Sequence, residues 1–208
     1  MTRTALIIID MQNDFCLPGA PFSVEAGMKT IPLIQKALIA CRRHRLPIIH
    51  VIRQYRADGS DTDLTRYVPF KKADGALIPG TKGAEIVVEL QPEPGEYVVV
   101  KWRWSAFFQT ELDLLLRRLG VLQVVVAGVQ TPNCIRATVW DALSLDYEAV
   151  VLTDATGANT EAIHQANLLD MQNVGTRLLT TDAFIQSLPD VPTANLQETI
   201  RAEIQARR

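Results

Sequence analysis

The sequence has few of the residues that build disulfide frameworks or metal centres. Its 208 residues include three cysteines and three histidines. The cysteines, Cys16, Cys41 and Cys134, form no CxxC pair and leave an odd one over. This number and spacing argue against a disulfide framework, and the scattered histidines argue against a Cys/His zinc site. We therefore expect neither a metal nor another cofactor.

The sequence also lacks a surplus of charge of either sign and any long apolar run. Lys and Arg number 21 against 23 Asp and Glu, a net charge of −2. Nucleic acids and anionic membranes select basic surfaces, so we expect neither as a partner and predict a small-molecule substrate instead. No stretch approaches the roughly 20 apolar residues of a membrane span, and the first apolar run is too short for a signal peptide. These absences favour a cytoplasmic protein.

The composition is that of an ordinary globular chain, with 48% hydrophobic and 21% charged residues. At about 150 residues per domain, the length fits one domain. We predict a single domain over residues 1–188 and a helical tail over 189–208. In the tail, Leu196, Ile200 and Ile204 recur at helical spacing, so it could pack on the body or on a partner subunit.

Short apolar runs alternate with amphipathic patterns along the chain. The runs show no clean polar alternation, which is typical of parallel strands covered on both faces. The sequence therefore predicts a three-layer α/β/α fold with a mainly parallel six-stranded sheet and helices on both faces. The predicted strands are 5–9, 47–52, 97–100, 122–127, 149–152 and 177–179, and the predicted helices are 31–45, 110–119, 132–145 and 161–172. Residues 53–96 are less regular and are interpreted as a binding loop or lid.

Polar residues that follow these runs mark the candidate site, because ligands bind at the carboxyl ends of strands in open parallel sheets. Asp10 follows the first run, Lys101 the third, and Cys134 lies just beyond the fourth. An acid, an amine and a thiol from three strands are the components of an activated nucleophile. Each has a structural alternative, since Asp10 could cap its loop, Lys101 could reach solvent along the sheet edge, and Cys134 could be an inert buried cysteine.

The segment TPNCIRATVWDAL predicts that Cys134 lies in the first turn of a helix. Thr131 is a candidate N-cap and Pro132 suits the first helical position. The positive end of the helix dipole and a nearby ammonium would then favour the thiolate, while a carboxylate accepts its proton. Backbone N–H groups around Gln130 and Cys134 could form an oxyanion hole.

The segments IIIDMQNDF, VKWRWSAFFQTELDLLLRRLGV and VAGVQTPNCIRATVWDA resemble the isochorismatase-like cysteine hydrolases. These include nicotinamidases, carbamoylsarcosine and ureidoacrylate amidohydrolases, and isochorismatases proper. The resemblance covers residues 4 to about 180. It implies a Rossmann-like sheet and assembly into dimers or tetramers. For the site, the resemblance implies a catalytic triad that maps onto Asp10, Lys101 and Cys134. It also implies a cis peptide at Val129–Gln130. The amides of Gln130 and Cys134 are the implied donors of the oxyanion hole.

The sequence departs from the nicotinamidase branch, which places an Asp and several His after the second strand to hold a metal. Here the region reads HVIRQYRADGSD, and His50 is interpreted as a core histidine, so a metal of that kind is not expected. Arg53 and Arg56 stand there instead. They are candidate substrate-binding residues that could hold a carboxylate or carbonyl. Alternatively, they belong to a solvated loop and pair with Asp58 and Asp61.

Two aromatic residues, Phe15 and Trp104, are candidates for the walls of a substrate pocket, although most aromatic residues are core. An intact Cys134 favours C–N hydrolysis of an amide, ureido or carbamoyl compound through a thioester. Vinyl-ether hydrolysis, which does not require the thiol, is the alternative on the same scaffold. A non-catalytic α/β binding protein with an inert Cys134 is the alternative of another class. The turn MQNDFCLPG lacks the GxGxxG fingerprint, which argues against a dinucleotide-dependent dehydrogenase.

Overall fold

The computed structural model describes residues 4–188 and 196–206. Its six strands form one sheet in which every neighbouring pair is parallel. Along the sheet the order is β3-β2-β1-β4-β5-β6, so the direction of the connections reverses between β1 and β4. The strands are β1 Thr4–Ile9, β2 Ile48–Arg53, β3 Tyr97–Lys101, β4 Gln123–Val129, β5 Glu148–Gly157 and β6 Arg177–Leu179.

Helices cover both faces of this sheet. The helices of the described residues are α1 Asn13–Cys16, α2 Gly27–Arg43, α3 Leu64–Lys72, α4 Leu112–Arg118, α5 Arg136–Ser144, α6 Glu161–Asn173, α7 Thr181–Ser187 and, in the tail, α8 Leu196–Ala206. Short 3₁₀ turns lie at Lys82–Ala84 and Val88–Leu90, and one π turn lies at Thr131–Ile135.

Two hydrophobic cores, one on each face, explain why the strands read as continuous apolar runs. In β1, Leu6 and Ile8 join the core that contains residues of α2 and α7. Ala5, Ile7 and Ile9 join the opposite core, to which α4, α5 and α6 contribute. Successive side chains of a strand point to opposite faces, so a strand between two helical layers is apolar at every position. The predicted three-layer, parallel, six-stranded fold is confirmed.

Gly128 brings the ends of β4 and β1 close together. Its φ of +116° is rare for residues with a side chain, and a Cβ there would lie 2.1 Å from the Ile9 carbonyl oxygen. The β4–β5 register also shifts between Val126 and Gly128. Only glycine fits this approach, which sets the last residues of β4 directly beside the end of β1.

The stretch predicted to be irregular, 53–96, contains the helix α3. Apolar periodicity does not predict this helix, because two of its apolar residues face solvent and an arginine faces the interior. Leu64 and Val68 are exposed, whereas Arg66 is buried on the inner face together with Phe70. Inside the fold, the polar residue and the aromatic residue share one face of α3.

The C-terminal tail is described in part. Residues 196–206 form the helix α8, on which Ile200 and Ile204 are about half exposed. Residues 189–195 and 207–208 of the predicted tail lie outside the described ranges, so its packing on the body or on a partner stays a prediction. Over residues 4–188 and 196–206, none of the helices has the length and apolar character needed to cross a bilayer.

Candidate active site

Three side chains from distant parts of the chain meet at the carboxyl edge of the sheet. The Lys101 Nζ donates to Asp10 Oδ2 over 2.8 Å and lies 3.4 Å from Cys134 Sγ. All three residues are almost completely buried. The structure thus brings together the acid, the amine and the thiol that the sequence singled out.

Local backbone geometry positions each of the three groups. Asp10 follows β1 with a left-handed φ of 56°, and its N–H donates to the Val51 carbonyl on β2. Lys101 is the last residue of β3, and Cys134 lies in the π turn after β4. The second carboxylate oxygen of Asp10, Oδ1, is buried and accepts no hydrogen bond from the described part of the chain. One acceptor of the carboxylate therefore remains free for a ligand or a proton.

A second cation, Arg53, also lies beside the thiol. It ends β2, where it pairs in register with Lys101 of β3, and its side chain is completely buried. Its Nη2 lies 3.5 Å from Cys134 Sγ and donates to the Arg103 carbonyl over 2.7 Å. We call Asp10, Arg53, Lys101 and Cys134 the thiol cluster.

Three further residues, which the sequence did not single out, hold Arg53 in place. Its Nη1 donates to the Tyr55 hydroxyl over 2.8 Å and forms a short ion pair with Asp63. Its backbone N–H donates to the Gln12 side chain, whose amide group donates back to the Arg53 carbonyl. Gln12 follows Asp10 closely in the sequence, so its bonds join the ends of β1 and β2. The motif MQND was the only available signal for it.

Burial and charge act in opposite directions on the two cations. Burial lowers the pKa of Lys101 below its usual range, against the opposing effects of Asp10 and Cys134. Burial also acts to lower the pKa of Arg53, but the negative charges of Cys134, Asp10 and its other neighbours outweigh it and raise the pKa. Arg53 therefore supplies a permanent positive charge near the sulfur, and Lys101 is a more readily released acid than an exposed lysine.

The turn that carries Cys134 differs from the predicted helix start. The peptide bond between Val129 and Gln130 is cis. Gln130, not Thr131, occupies the position before the turn, and its carbonyl accepts the N–H groups of Asn133 and Ile135. The prediction that Thr131 caps the helix is wrong, because its hydroxyl instead forms a 2.8 Å hydrogen bond with a ring nitrogen of His164.

His164 links this turn to β5 through its other ring nitrogen. Its Nε2 lies 3.0 Å from the Thr153 carbonyl. A carbonyl oxygen only accepts, so Nε2 carries the hydrogen, and Nδ1 of the neutral ring accepts from the Thr131 hydroxyl. On the other side of the turn, the Thr138 hydroxyl donates to the Cys134 carbonyl over 2.6 Å. The turn is therefore held by side chains of α5 and α6.

The two aromatic residues predicted to line a substrate pocket, Trp104 and Phe15, lie in different surroundings. The Trp104 ring lies 5.4 Å from the Arg53 guanidinium and lines a cavity of about 600 Å³ together with Pro132 and Asn133 of the Cys134 turn. Phe15 is buried and stacks with Phe22 at a centroid distance of 6.0 Å.

Arg56 lies outside the thiol cluster, in contrast to Arg53. Its side chain is three-quarters exposed, and its Nε lies 4.0 Å from Asp61 Oδ2. The predicted alternative of a solvated loop with an ion pair therefore describes Arg56. His50 is buried and bonds to Glu96 over 2.9 Å, as predicted for a core histidine.

The residues after β2 do not fit a metal ion. Within the described ranges, no three His, Cys, Asp or Glu side chains are grouped so that they could hold one. The side chain that ends β2 beside the thiol is a guanidinium, which cannot coordinate a cation.

Comparisons with known proteins agree on one family. The family model described as "Isochorismatase domain" matches residues 4–183. The structure of an isochorismatase family protein from Desulfovibrio vulgaris is similar, with a TM-score of 0.85 and 47% identity over 92% of this chain and 98% of that one.

Two curated relatives are also similar to this chain. An Arabidopsis thaliana protein described as a probable inactive nicotinamidase is 44% identical, over 89% of this chain and 96% of its own length. A ureidoacrylate amidohydrolase of Stutzerimonas stutzeri is 33% identical, over 92% of this chain and 85% of its own. The chain therefore belongs to the isochorismatase family, a family of α/β hydrolases that includes amidohydrolases.

Proposed function

We propose that this protein is a cysteine amidohydrolase that cleaves a C–N bond of a small amide, ureido or carbamoyl compound through a thioester. The observation on which the proposal depends is the thiol cluster. Two cationic nitrogens, Lys101 Nζ and Arg53 Nη2, lie 3.4 Å and 3.5 Å from the Cys134 sulfur. Positive charge next to a thiol stabilises the thiolate, which is the nucleophilic form.

Asp10 is the proposed base. Its Oδ2 is bonded to Lys101, while the buried Oδ1 has no partner in residues 4–188 and 196–206 and is free to accept the proton of the thiol. Proton transfer from sulfur to this carboxylate produces the thiolate between the two cations. The neutral carboxylic acid that results holds the proton for the leaving group.

In the acylation step the thiolate attacks the substrate carbonyl carbon. A C–S bond forms and the carbonyl π electrons move to oxygen. We assign the oxyanion hole to the backbone N–H groups of Gln130, which directly precedes the turn after β4, and of Cys134, which lies within that turn. The tetrahedral intermediate then collapses, the C–N bond breaks, and the leaving nitrogen takes the proton of Asp10 to depart as ammonia or an amine.

In the deacylation step water attacks the thioester carbonyl, and Asp10 accepts a proton from it. The C–S bond breaks, the acid is released, and the sulfur regains its proton from Asp10. Acylation and deacylation thus use the same base and the same oxyanion hole, as expected for a covalent hydrolase.

The relatives support C–N hydrolysis and also define the competing function. The Stutzerimonas stutzeri relative is a ureidoacrylate amidohydrolase, which supports a ureido or carbamoyl substrate. The Arabidopsis thaliana relative is described as a probable inactive nicotinamidase. That description supports either a substrate other than nicotinamide or the competing function, a non-catalytic binding protein. The Arg53 guanidinium at the end of β2 favours a substrate other than nicotinamide, because it lies against the nucleophile.

Ammonia release from a panel of nicotinamide, ureidoacrylate, carbamoylated amino acids and biuret tests the proposal. We expect turnover of a ureido or carbamoyl compound and its loss in Cys134→Ala, with thermal unfolding as the control for folding. Full activity in Cys134→Ala would overturn the covalent mechanism. Hydrolysis of an enol ether that needs Asp10 but not Cys134 would indicate vinyl-ether chemistry, and no turnover of any compound would support a binding protein.

A further inference from the structure

Arg66 on α3 is a buried charged residue that the proposed mechanism does not use. The residue is only 8% exposed. Its Nη1 is buried without a hydrogen-bond partner, and no carboxylate in the described residues forms an ion pair with it. Burying a guanidinium without a counter-charge is costly, so an arginine in this state needs a reason for its presence.

Aromatic rings surround this guanidinium. Its central carbon lies over the rings of Phe15, Phe22 and Trp104, at 5.2, 5.2 and 4.8 Å from their centroids. Cation–π contacts compensate part of the lost hydration and fix the position of the group. They leave Nη1 without an acceptor in the described residues, because guanidinium N–H groups lie in the guanidinium plane and ring faces do not satisfy them.

Arg53 provides a comparison in the same region. Its Nη1 and Nη2 bind Tyr55, Asp63 and the Arg103 carbonyl, and only its Nε is buried without a partner in the described residues. Both guanidinium groups lie within 5.4 Å of the centroid of the Trp104 ring. Arg66 therefore lies against the same aromatic ring as the arginine that contacts the nucleophile, but no carboxylate of the described residues pairs with it.

The carboxylates near the Trp104 ring do not balance the positive charges there. Asp10 pairs with Lys101, and Asp63 pairs with both Arg53 and Arg103. The charge of Arg66 is matched by none of these carboxylates. A negatively charged group of a ligand would supply both the missing charge and the missing acceptors.

We infer that Arg66 binds a carboxylate of the substrate, at the end opposite the scissile C–N bond. This inference rests on the proposed function and narrows its substrate class to ureido or carbamoyl acids, as opposed to neutral carboxamides. The flat fork of the guanidinium matches the two oxygens of a carboxylate. Arg66 is thus a specificity-determining residue, and Trp104 is the surface along which the substrate lies between it and Cys134.

Ligand binding to Cys134→Ala tests the inference independently of turnover. The ligands are N-carbamoylglycine, N-carbamoyl-β-alanine and 4-ureidobutyrate, each compared by calorimetry with its neutral primary amide. In Cys134→Ala we expect at least one acid to bind more tightly than its amide. Adding Arg66→Gln should weaken that acid at least about tenfold, the loss typical of a charge-assisted hydrogen bond, and should leave the amide unchanged.

Two variants control this experiment. Arg56→Gln removes an exposed arginine outside the cluster and should leave the affinity for acids unchanged. Arg66→Lys keeps the charge but loses the fork, so we expect an intermediate affinity. Equal affinity for every acid and its amide, no measurable binding of any acid, or full affinity after Arg66→Gln would each overturn the inference. Failure of the proposed function would appear in a different measurement, as full turnover by Cys134→Ala, so the two failures can be distinguished.

Discussion

Two charged clusters each include one residue of β2, His50 or Arg53, and they differ in how completely their carboxylates are paired. In the Glu96 cluster, formed by Arg42, His50 and Glu96, the carboxylate accepts four hydrogen bonds: two from Arg42, one from His50 and one from the Glu93 N–H. In the thiol cluster, one oxygen of Asp10 is bonded and the other is not. The carboxylate of the Glu96 cluster is therefore bonded through both oxygens, whereas that of the thiol cluster keeps one oxygen open to a proton or a ligand among the described residues.

The pKa directions in the Glu96 cluster agree with a structural role. Burial acts to raise the pKa of Glu96, but the hydrogen bonds of Arg42, Glu93 and His50 outweigh it and hold the pKa below its usual range. Burial lowers the pKa of His50, more than the neighbouring carboxylate raises it. A charged Glu96 with a neutral His50 is thus the stable state near neutral pH. The hydrogen bonds to Glu96 use both oxygens of its carboxylate, so this carboxylate has no free oxygen for a ligand, although His50 Nδ1 is buried without a partner in the described residues.

The largest expected difference between the clusters is in catalysis. Asp10→Asn keeps the shape of the side chain but removes the base, so kcat/KM should fall by on the order of a hundredfold to ten-thousandfold. Glu96→Gln, the matched change in the other cluster, should leave kcat/KM within about twofold, since distant sites act independently. Steady-state ammonia release on the best substrate of the panel measures both. Equal losses in the two variants would contradict the separation of roles.

Stability should distinguish the Glu96 cluster from Arg66, which belongs to neither cluster. Glu96→Gln weakens the acceptor of a buried cluster and should lower the free energy of unfolding by about 2–3 kcal/mol. Arg66→Met removes a buried charge without a carboxylate partner and keeps apolar contact with the rings, so the change should be under about 1 kcal/mol. Urea unfolding followed by fluorescence measures both. A larger loss in Arg66→Met than in Glu96→Gln would indicate that Arg66 is structural.

A smaller effect is expected from the pH dependence of stability. The pKa of His50 is lowered in the folded state, so below about pH 6.5, the usual histidine value, the unfolded chain binds more protons than the folded one. Acidification from that point should therefore destabilise the protein. His50→Gln should flatten this slope, measured as the unfolding free energy between pH 7 and pH 5. An unchanged slope in the variant would assign the effect to another group.

The sequence predicts the meeting of Asp10, Lys101 and Cys134 because of a simple geometric rule. Each follows an apolar run, and parallel strands place their carboxyl ends at one edge of the sheet. The same rule applies to Arg53, which ends β2, although its closeness in sequence to the exposed Arg56 suggests a shared loop. Strand ends were thus predictable, and so was the fold that aligns them.

The contribution of α3 was not predictable from apolar periodicity. Its apolar residues Leu64 and Val68 face outward, while Arg66 faces inward onto aromatic rings from other parts of the chain. A partner set of this kind depends on tertiary contacts between distant segments. The hydroxyl of Thr131 shows the same limit, since its bond to His164 replaces the capping role that its position in the sequence suggested.

The most direct test of the account is the rate at which iodoacetamide alkylates each cysteine of the native protein at pH 7. Burial raises the pKa of Cys16 and Cys41 to about 12, so both should stay unmodified until the chain is denatured. Between two cations, Cys134 should react faster than free cysteine, as read by peptide mass spectrometry. A rate for Cys134 no faster than that of free cysteine would contradict the claim that it is an activated nucleophile.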